Sequence, residues 1–139
     1  MPYSIGEVAK MLNLSIYTLR YYDKEGLIPF VERNSGGARV FEESDVESLK
    51  IIECLKSTGM PLKDIKYFID WCFQGDCTLQ QRYDMFLERK AVAEVQMEKL
   101  KNTMKIIEYK CHYYKTALEA GTEDIHKKRN SKSCLICQN

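Results

Sequence analysis

The feature that most limits what this chain can become is a stretch without helix breakers. Between Gly75 and Gly121 there is neither glycine nor proline, whereas the preceding 75 residues are cut into short pieces by both. Counted in sevens, the stretch carries one apolar series at Leu79, Phe86, Ala93, Leu100, Ile107 and Tyr114. A second, offset by four, runs Tyr83, Lys90, Met97, Met104, Cys111 and Leu118. Eleven of these twelve positions are apolar or aromatic, the signature of a coiled-coil seam in which one polar residue, Lys90, helps set register. About 40 helical residues at ~1.5 Å each make a rod of roughly 60 Å. Such a helix cannot bury its stripe on itself, so a second copy of the chain is expected. Phe86, Ala93, Met97, Leu100, Met104, Ile107, Cys111 and Tyr114 are the expected dimerisation residues.

Ahead of this helix the punctuation predicts a compact head. Ser4 and Glu7 stand in capping-box spacing, followed by Ile5, Val8, Ala9 and Leu12 on one helical face. Asn13 supplies a left-handed stop, and Ser15 caps a second helix running to about Glu25 and ended by Gly26. Two helices joined so tightly form a helix-turn-helix. Leu27–Val31, interrupted by Pro29, reads as an edge strand, Asn34–Gly37 as a turn, and Arg39–Phe41 as the returning strand of a small wing. Ser44 and Glu47 are expected to box the start of a third helix with Val46, Leu49, Ile52 and Leu55 inward. Gly59 ends it, and Pro61 is placed as the first helical residue of a fourth helix with Ile65, Phe68, Ile69 and Cys72 on its apolar side. Thr78 and Gln81 are expected to box the start of the long helix. The predicted fold is mainly α: a winged helix-turn-helix head with two linker helices over residues 1–76, a coiled coil over 77–120, and a polar, mobile tail over 121–139.

Composition narrows the function. No apolar run approaches the ~20 residues of a membrane span, and no charged segment followed by an apolar stretch opens the chain. The six cysteines therefore read as reduced thiols in the cytoplasm rather than as a disulfide scaffold. Two histidines without carboxylate partners, and no phosphate-cradling glycine loop, supply no catalytic set; neither an enzyme nor a cofactor is expected. Charge gives little help. Residues 1–76 carry 9 Lys/Arg against 12 Asp/Glu, so nucleic-acid binding must rest on where individual cations sit. In the second helix Leu19 and Tyr22 fall on one side, while Ser15, Thr18 and Tyr21 project together with Arg20 beside them. Such a face suits a major groove, where Arg reads guanine and hydroxyls meet phosphates.

The run Thr18-Leu19-Arg20-Tyr21-Tyr22-Asp23-Lys24-Glu25-Gly26-Leu27-Ile28-Pro29 resembles nearly throughout the T-L-R-Y-Y-E-x-x-G-L-x-x-P signature of the MerR family of bacterial transcriptional regulators, with Asp23 for the usual Glu and Pro29 one position ahead of the signature's proline. Gly37, Arg39 and Phe41 match the family's wing pattern, and Ala38 departs from its aromatic. The resemblance extends over residues 2–118 in order. It implies an antiparallel homodimer on double-stranded promoter DNA with an over-long spacer, untwisted on activation so that RNA polymerase can engage. Carried over by position, it implies DNA contacts from Ser15, Tyr17, Thr18, Arg20 and Tyr21, backbone contacts from Arg33 and Arg39 on the wing, and a phosphate contact from Lys63.

Members that bind bulky drugs have a large C-terminal domain, and only about 20 residues follow the long helix here. Metal-sensing members place cysteines near both ends of the dimerisation helix, where Cys77 and Cys111 stand, with Cys134 and Cys137 beyond; a soft metal suits such thiolates. His112 and His126 have no ligand spacing with them, and no resident metal is expected. A smaller branch, responsive to aldehydes, other electrophiles or nitrosothiols, has a single cysteine where Cys54 lies, and Ile51–Met60 and Gly75-Asp76 resemble its pattern. Lys50 and Lys56 lie close in sequence and would favour a Cys54 thiolate, while Glu53 and the helix dipole oppose it. An adduct on Cys54 would then shift the third helix against the fourth, because packed interiors tolerate little added volume. The readings left open are this thiol switch, a metal sensor, and a coiled-coil module that binds only protein.

Overall fold

The computed structural model describes residues 2–127. Two compact units divide the chain, the first ending at Ala93 and the second beginning at Glu94.

In the first unit, strand β1 (Tyr3–Ser4) leads into helix α1 (Ile5–Leu12), then come α2 (Ile16–Lys24), β2 (Glu32–Arg33), β3 (Arg39–Phe41), α3 (Glu43–Ser57) and α4 (Leu62–Gln74). A single 3-10 turn (Asp76–Thr78) precedes α5 (Leu79–Ala120). The expected start of α1 is present in full: Ser4 Oγ accepts from Glu7 N–H and the Glu7 carboxylate accepts from Ser4 N–H. Asn13 ends the helix at φ 54°, a conformation that Asn tolerates better than most residues. Val8, Leu19, Tyr22, Leu27, Ile28, Phe41, Val46, Leu49, Ile52, Leu55 and Ile65 form the fully buried centre of the core. The apolar faces foreseen for α1, α2 and α3 therefore point inward together.

Several expectations need correction. Leu27–Val31 is a loop, not a strand: Leu27 and Ile28 are buried in the core, and the wing's first strand is Glu32–Arg33, paired antiparallel with β3. A third strand, β1, pairs on the other edge of β3; two residues are too few to show a period. Helix α3 is capped by Glu42 and Asp45 instead of Ser44 and Glu47, with Asp45 Oδ2 accepting from Glu42 N–H at 2.8 Å. Pro61 is the N-cap of α4, not its first helical residue. Cys72 is exposed, leaving Ile65, Phe68 and Ile69 as that helix's buried side.

Thr78 does not box α5. Its buried hydroxyl lies 2.6 Å from the Trp71 carbonyl and 2.9 Å from that of Gly75, and Arg82 donates to it. A threonine bonded to these carbonyls ties the end of α4 to the start of α5, and its oxygen accepts from the Arg82 side chain rather than from an amide three residues on. The first turns of α5 join the same core, since Met85 is buried and Phe86 stands edge-on to Phe68 at 5.4 Å.

In the second unit, residues 121–127, expected as mobile tail, turn back on the end of α5. Gly121 takes φ 78°, and the Thr122 amide donates to the Ala117 carbonyl. The His126 ring stacks on Tyr113 at 4.1 Å, with Nε2 2.6 Å from Thr116 Oγ1. These groups satisfy carbonyls that a free helix end would leave to water. No helix among the described residues is long and apolar enough to cross a membrane.

Candidate nucleic-acid interface

Helix α2 begins where Ser15 Oγ accepts from Thr18 N–H at 3.0 Å, with the Thr18 hydroxyl 2.8 Å from the same oxygen. That cap holds the two hydroxyls together at the helix start. Leu19 and Tyr22 anchor the opposite side in the core. Tyr17 is consequently 77% exposed, Tyr21 40%, and Arg20 and Ser15 are exposed while Thr18 is half-buried. Tyr17, Arg20 and Tyr21 thus form the exposed face opposite Leu19 and Tyr22, with the Ser15 hydroxyl at the helix start and Thr18 half-buried beside it.

Tyr22 is held by more than apolar contact. Its hydroxyl donates to Glu53 on α3 at 2.6 Å and accepts from Lys56 at 2.9 Å. Burial first, then the Glu53 carboxylate, keep this phenol protonated well above its ordinary range. The recognition helix is thereby bonded to α3 as well as packed on it.

The wing is tied to α2 by a carboxylate. Asp23 Oδ2 receives Arg39 Nε at 2.7 Å and a terminal nitrogen of Arg33 at 3.3 Å, and Arg33 also donates to the Gly37 carbonyl. Arg39 is left 18% exposed and Arg33 52%. Both wing arginines therefore brace the wing against α2, with Arg33 the more accessible. The tip is ordered by Asn34, whose Oδ1 accepts from the amides of Gly36 and Ala38, and Gly37 turns at φ 82° with no atom near its missing Cβ.

Lys63 is brought to the same surface. A cavity of about 290 Å³ is lined by Tyr21, Glu25, Leu27, Leu62, Lys63 and Lys66, and a Cβ on Gly26 would meet the Lys66 side chain at 3.3 Å. Sequence reasoning missed Lys66; the one available signal was its position three residues after Lys63, which puts the two on one helix face. Replacing Lys63 and Lys66 together with alanine is expected to weaken duplex binding about equally on all sequences. It should flatten the slope of log affinity against log salt by about 1–2, measured by fluorescence anisotropy over a salt series.

The cysteines are placed differently. Cys54 is exposed on α3, its carbonyl accepting from Ser57 Oγ. Lys50 pairs with Glu47 at 2.9 Å and Lys56 donates to Tyr22, so the two lysines credited with activating this thiol are engaged elsewhere. An adduct on an exposed thiol adds its volume at the surface, so it does not wedge the α3–α4 interior as expected. Cys77 Sγ lies 3.5 Å from the Gln74 carbonyl, and Cys111 is exposed. Cys134 and Cys137 lie outside the described residues. Among the described residues no group of three or more His, Cys, Asp or Glu is arranged to hold a metal.

Comparison with known proteins bears on this surface. Residues 3–70 match the MerR HTH family regulatory protein profile. A helix-turn-helix transcriptional regulator of Haemophilus influenzae is 39% identical over 122 residues, 88% of this chain and 90% of that protein. The crystal structure of HiNmlR, a MerR family regulator lacking the sensor domain, bound to promoter DNA, shares 38% identity over 90% of this chain and 99% of that one, with a TM-score of 0.81. A MerR family regulator from Bacillus thuringiensis shares 43% identity over 81% and 98%, with a TM-score of 0.74. A capped helix with its polar face outward, a wing braced on it and identity sustained over nearly the whole length lead to one conclusion: this chain belongs to the MerR family of helix-turn-helix transcriptional regulators.

Proposed function

We propose that two copies of this chain bind the two halves of a promoter through α2 and the wing, and that modification of Cys54 changes the DNA geometry they impose. The single observation that carries the DNA-binding part is the exposed Tyr17-Arg20-Tyr21 face, on a chain 38% identical to a regulator whose structure includes promoter DNA. Ser15, Thr18, Lys63 and the wing hold phosphates, and Arg20 reads base edges. Distortion of the duplex, rather than a patch for polymerase, is the means by which RNA polymerase is recruited, because deformation energy converts a small change in half-site geometry into a different DNA shape.

The second copy is required by the seam. Met97 is 70% exposed and Leu100 66%, and Met104, Ile107 and Tyr114 are also exposed large apolar side chains. Burying each is worth about 1.5–3 kcal/mol. The alternating steps of three and four residues read the same in both directions about the Met97–Leu100 step. An antiparallel pair therefore covers the seam completely and sets Glu94 of one copy against Lys101 of the other. A duplex selected from a random library by the protein itself, titrated at two salt concentrations, tests the reading: nanomolar, salt-dependent binding of one dimer per site supports it, and sequence-independent or absent binding refutes it.

Cys54 is the sensing residue in this reading, supported by the Ile51–Met60 and Gly75-Asp76 pattern and by the exposure of the thiol. Because the sulfur is at the surface, an adduct alters the outer face of α3 around Lys50 and Ile51 and leaves the core unloaded. Formaldehyde or methylglyoxal is expected to change transcription from the selected site with wild-type protein and to have no effect with Cys54→Ser, while mass spectrometry finds the adduct on Cys54. An undiminished response in Cys54→Ser would move the sensor elsewhere.

A further inference from the structure

A carboxylate stands where a DNA-binding face would least want one. Asp23 lies on α2, three residues after Arg20 and two after Tyr21, and a negative charge there opposes the approach of phosphate. Its side chain is 26% exposed, and its Oδ2 receives Arg39 Nε at 2.7 Å and an Arg33 terminal nitrogen at 3.3 Å. Those two arginines are direct cross-strand partners in the wing, and like charges in that relation push the strands apart. The Asp23 oxygen between them turns the repulsion into a common attachment.

Little else fastens the wing. Both residues of β2, Glu32 and Arg33, are exposed, and a two-stranded hairpin is marginal by itself in water. Strand β3 enters the core only through Phe41 at its end, and residues 34–38 at the tip are all exposed. Between α2 and β2 the chain is a loop. Among the described residues, the side-chain bonds that run from the wing to α2 are the two that Asp23 accepts, one from each strand.

We propose that Asp23 is a positioning residue for DNA binding, which fixes the wing to the recognition helix so that both reach one duplex together. This deepens the DNA-binding reading and rests on it. Arg39, 18% exposed, makes the inner joint. Arg33, 52% exposed, is held also by the Gly37 carbonyl and keeps an accessible side for a phosphate. Order that exists before the encounter is not lost on binding, so Asp23 raises affinity although its own charge has the wrong sign.

Hydrogen–deuterium exchange of the full chain without DNA is expected to show faster exchange in the wing of Asp23→Ala, over residues 31–41. Helix α2 should exchange as in wild type, because Leu19 and Tyr22 anchor it. On a duplex selected by the wild-type protein, Asp23→Ala should bind at least about fivefold more weakly, the ordering cost of a few side chains. The slope of log affinity against log salt should flatten by about 1, as one phosphate contact is lost. Removal of a negative charge without any positioning role predicts the opposite, tighter binding. In a chain that already carries Arg33→Gln and Arg39→Gln, Asp23→Ala should cost less than about twofold, since its partners are gone. Unchanged wing exchange, unchanged or tighter binding, an unflattened slope, or a loss undiminished in the glutamine background each overturns the proposal. A wild-type chain that selects no duplex refutes the DNA-binding reading instead, and the exchange measurement, made without DNA, keeps the two failures apart.

Discussion

Met97→Lys combined with Leu100→Lys is expected to turn the dimer into monomers and, with that, to abolish promoter binding at physiological salt. The change removes four exposed apolar side chains from the centre of the seam, two per copy, worth roughly 6–12 kcal/mol at about 1.5–3 kcal/mol each. It also gathers four like charges where two chains must meet. Lys90 already supplies the polar residue that a seam of this length tolerates, so two more per chain exceed it. Promoter affinity should fall by about 10²–10⁴, the gain that tethering a second DNA-binding head confers. Sedimentation velocity and anisotropy on the same samples check both parts. Because Met97 and Leu100 lie beyond Ala93, in the other compact unit, the core of the first unit is untouched, and its Trp71 emission should stay at the wild-type wavelength. A variant that remains dimeric, or one that binds DNA normally as a monomer, contradicts the assembly proposed here.

The second large effect is expected from Arg20→Ala. Arg20 is exposed on α2, beside the Ser15–Thr18 cap and between two exposed tyrosines. If it reads guanine by two hydrogen bonds, its loss costs about 1–3 kcal/mol per half-site, or roughly 5- to 150-fold. Affinity for a shuffled duplex, held mainly by phosphate contacts, should change by less than about threefold. Equal losses on both duplexes would show that Arg20 holds backbone and that specificity resides elsewhere on the face. Stability should be unaltered, because Leu19 and Tyr22, not Arg20, attach this helix to the core.

Both predictions draw on features that one-dimensional reading can supply, and the boundary of that reading follows physical lines. The Ser4–Glu7 box, the left-handed Asn13, the Ser15 cap and the inward Leu19, Tyr22, Val46, Leu49 and Ile52 depend on contacts within one or two helical turns, so their residues announce them in order. The heptad period of α5 was legible for the same reason, since it is carried by the chain itself. The outward face of α2 followed directly, because fixing which side of a helix is buried also fixes which is not.

What the order of residues left undecided were choices among partners distant in sequence. Whether Leu27 and Ile28 pair as a strand or fill the core depends on the space left between α2 and α3, and burial prevailed. Two polar pairs had suitable spacing for capping α3, and Asp45 prevailed over Glu47 because the chain enters that helix two residues earlier, directly from β3. Thr78 had a cap's identity and spacing, yet the nearby Trp71 and Gly75 carbonyls took its hydroxyl. The wing arginines looked like pure DNA contacts until Asp23 was seen between them, and Lys66 had no distinguishing neighbour until Gly26 and Tyr21 came beside it. The residue order alone determined the helices, most of their buried sides and the heptad period of α5, through interactions a few residues apart. Only the tertiary structure decided which carboxylate braces which arginine and that Cys54 lies at the surface, because those outcomes are set by groups that folding brings together from far along the chain.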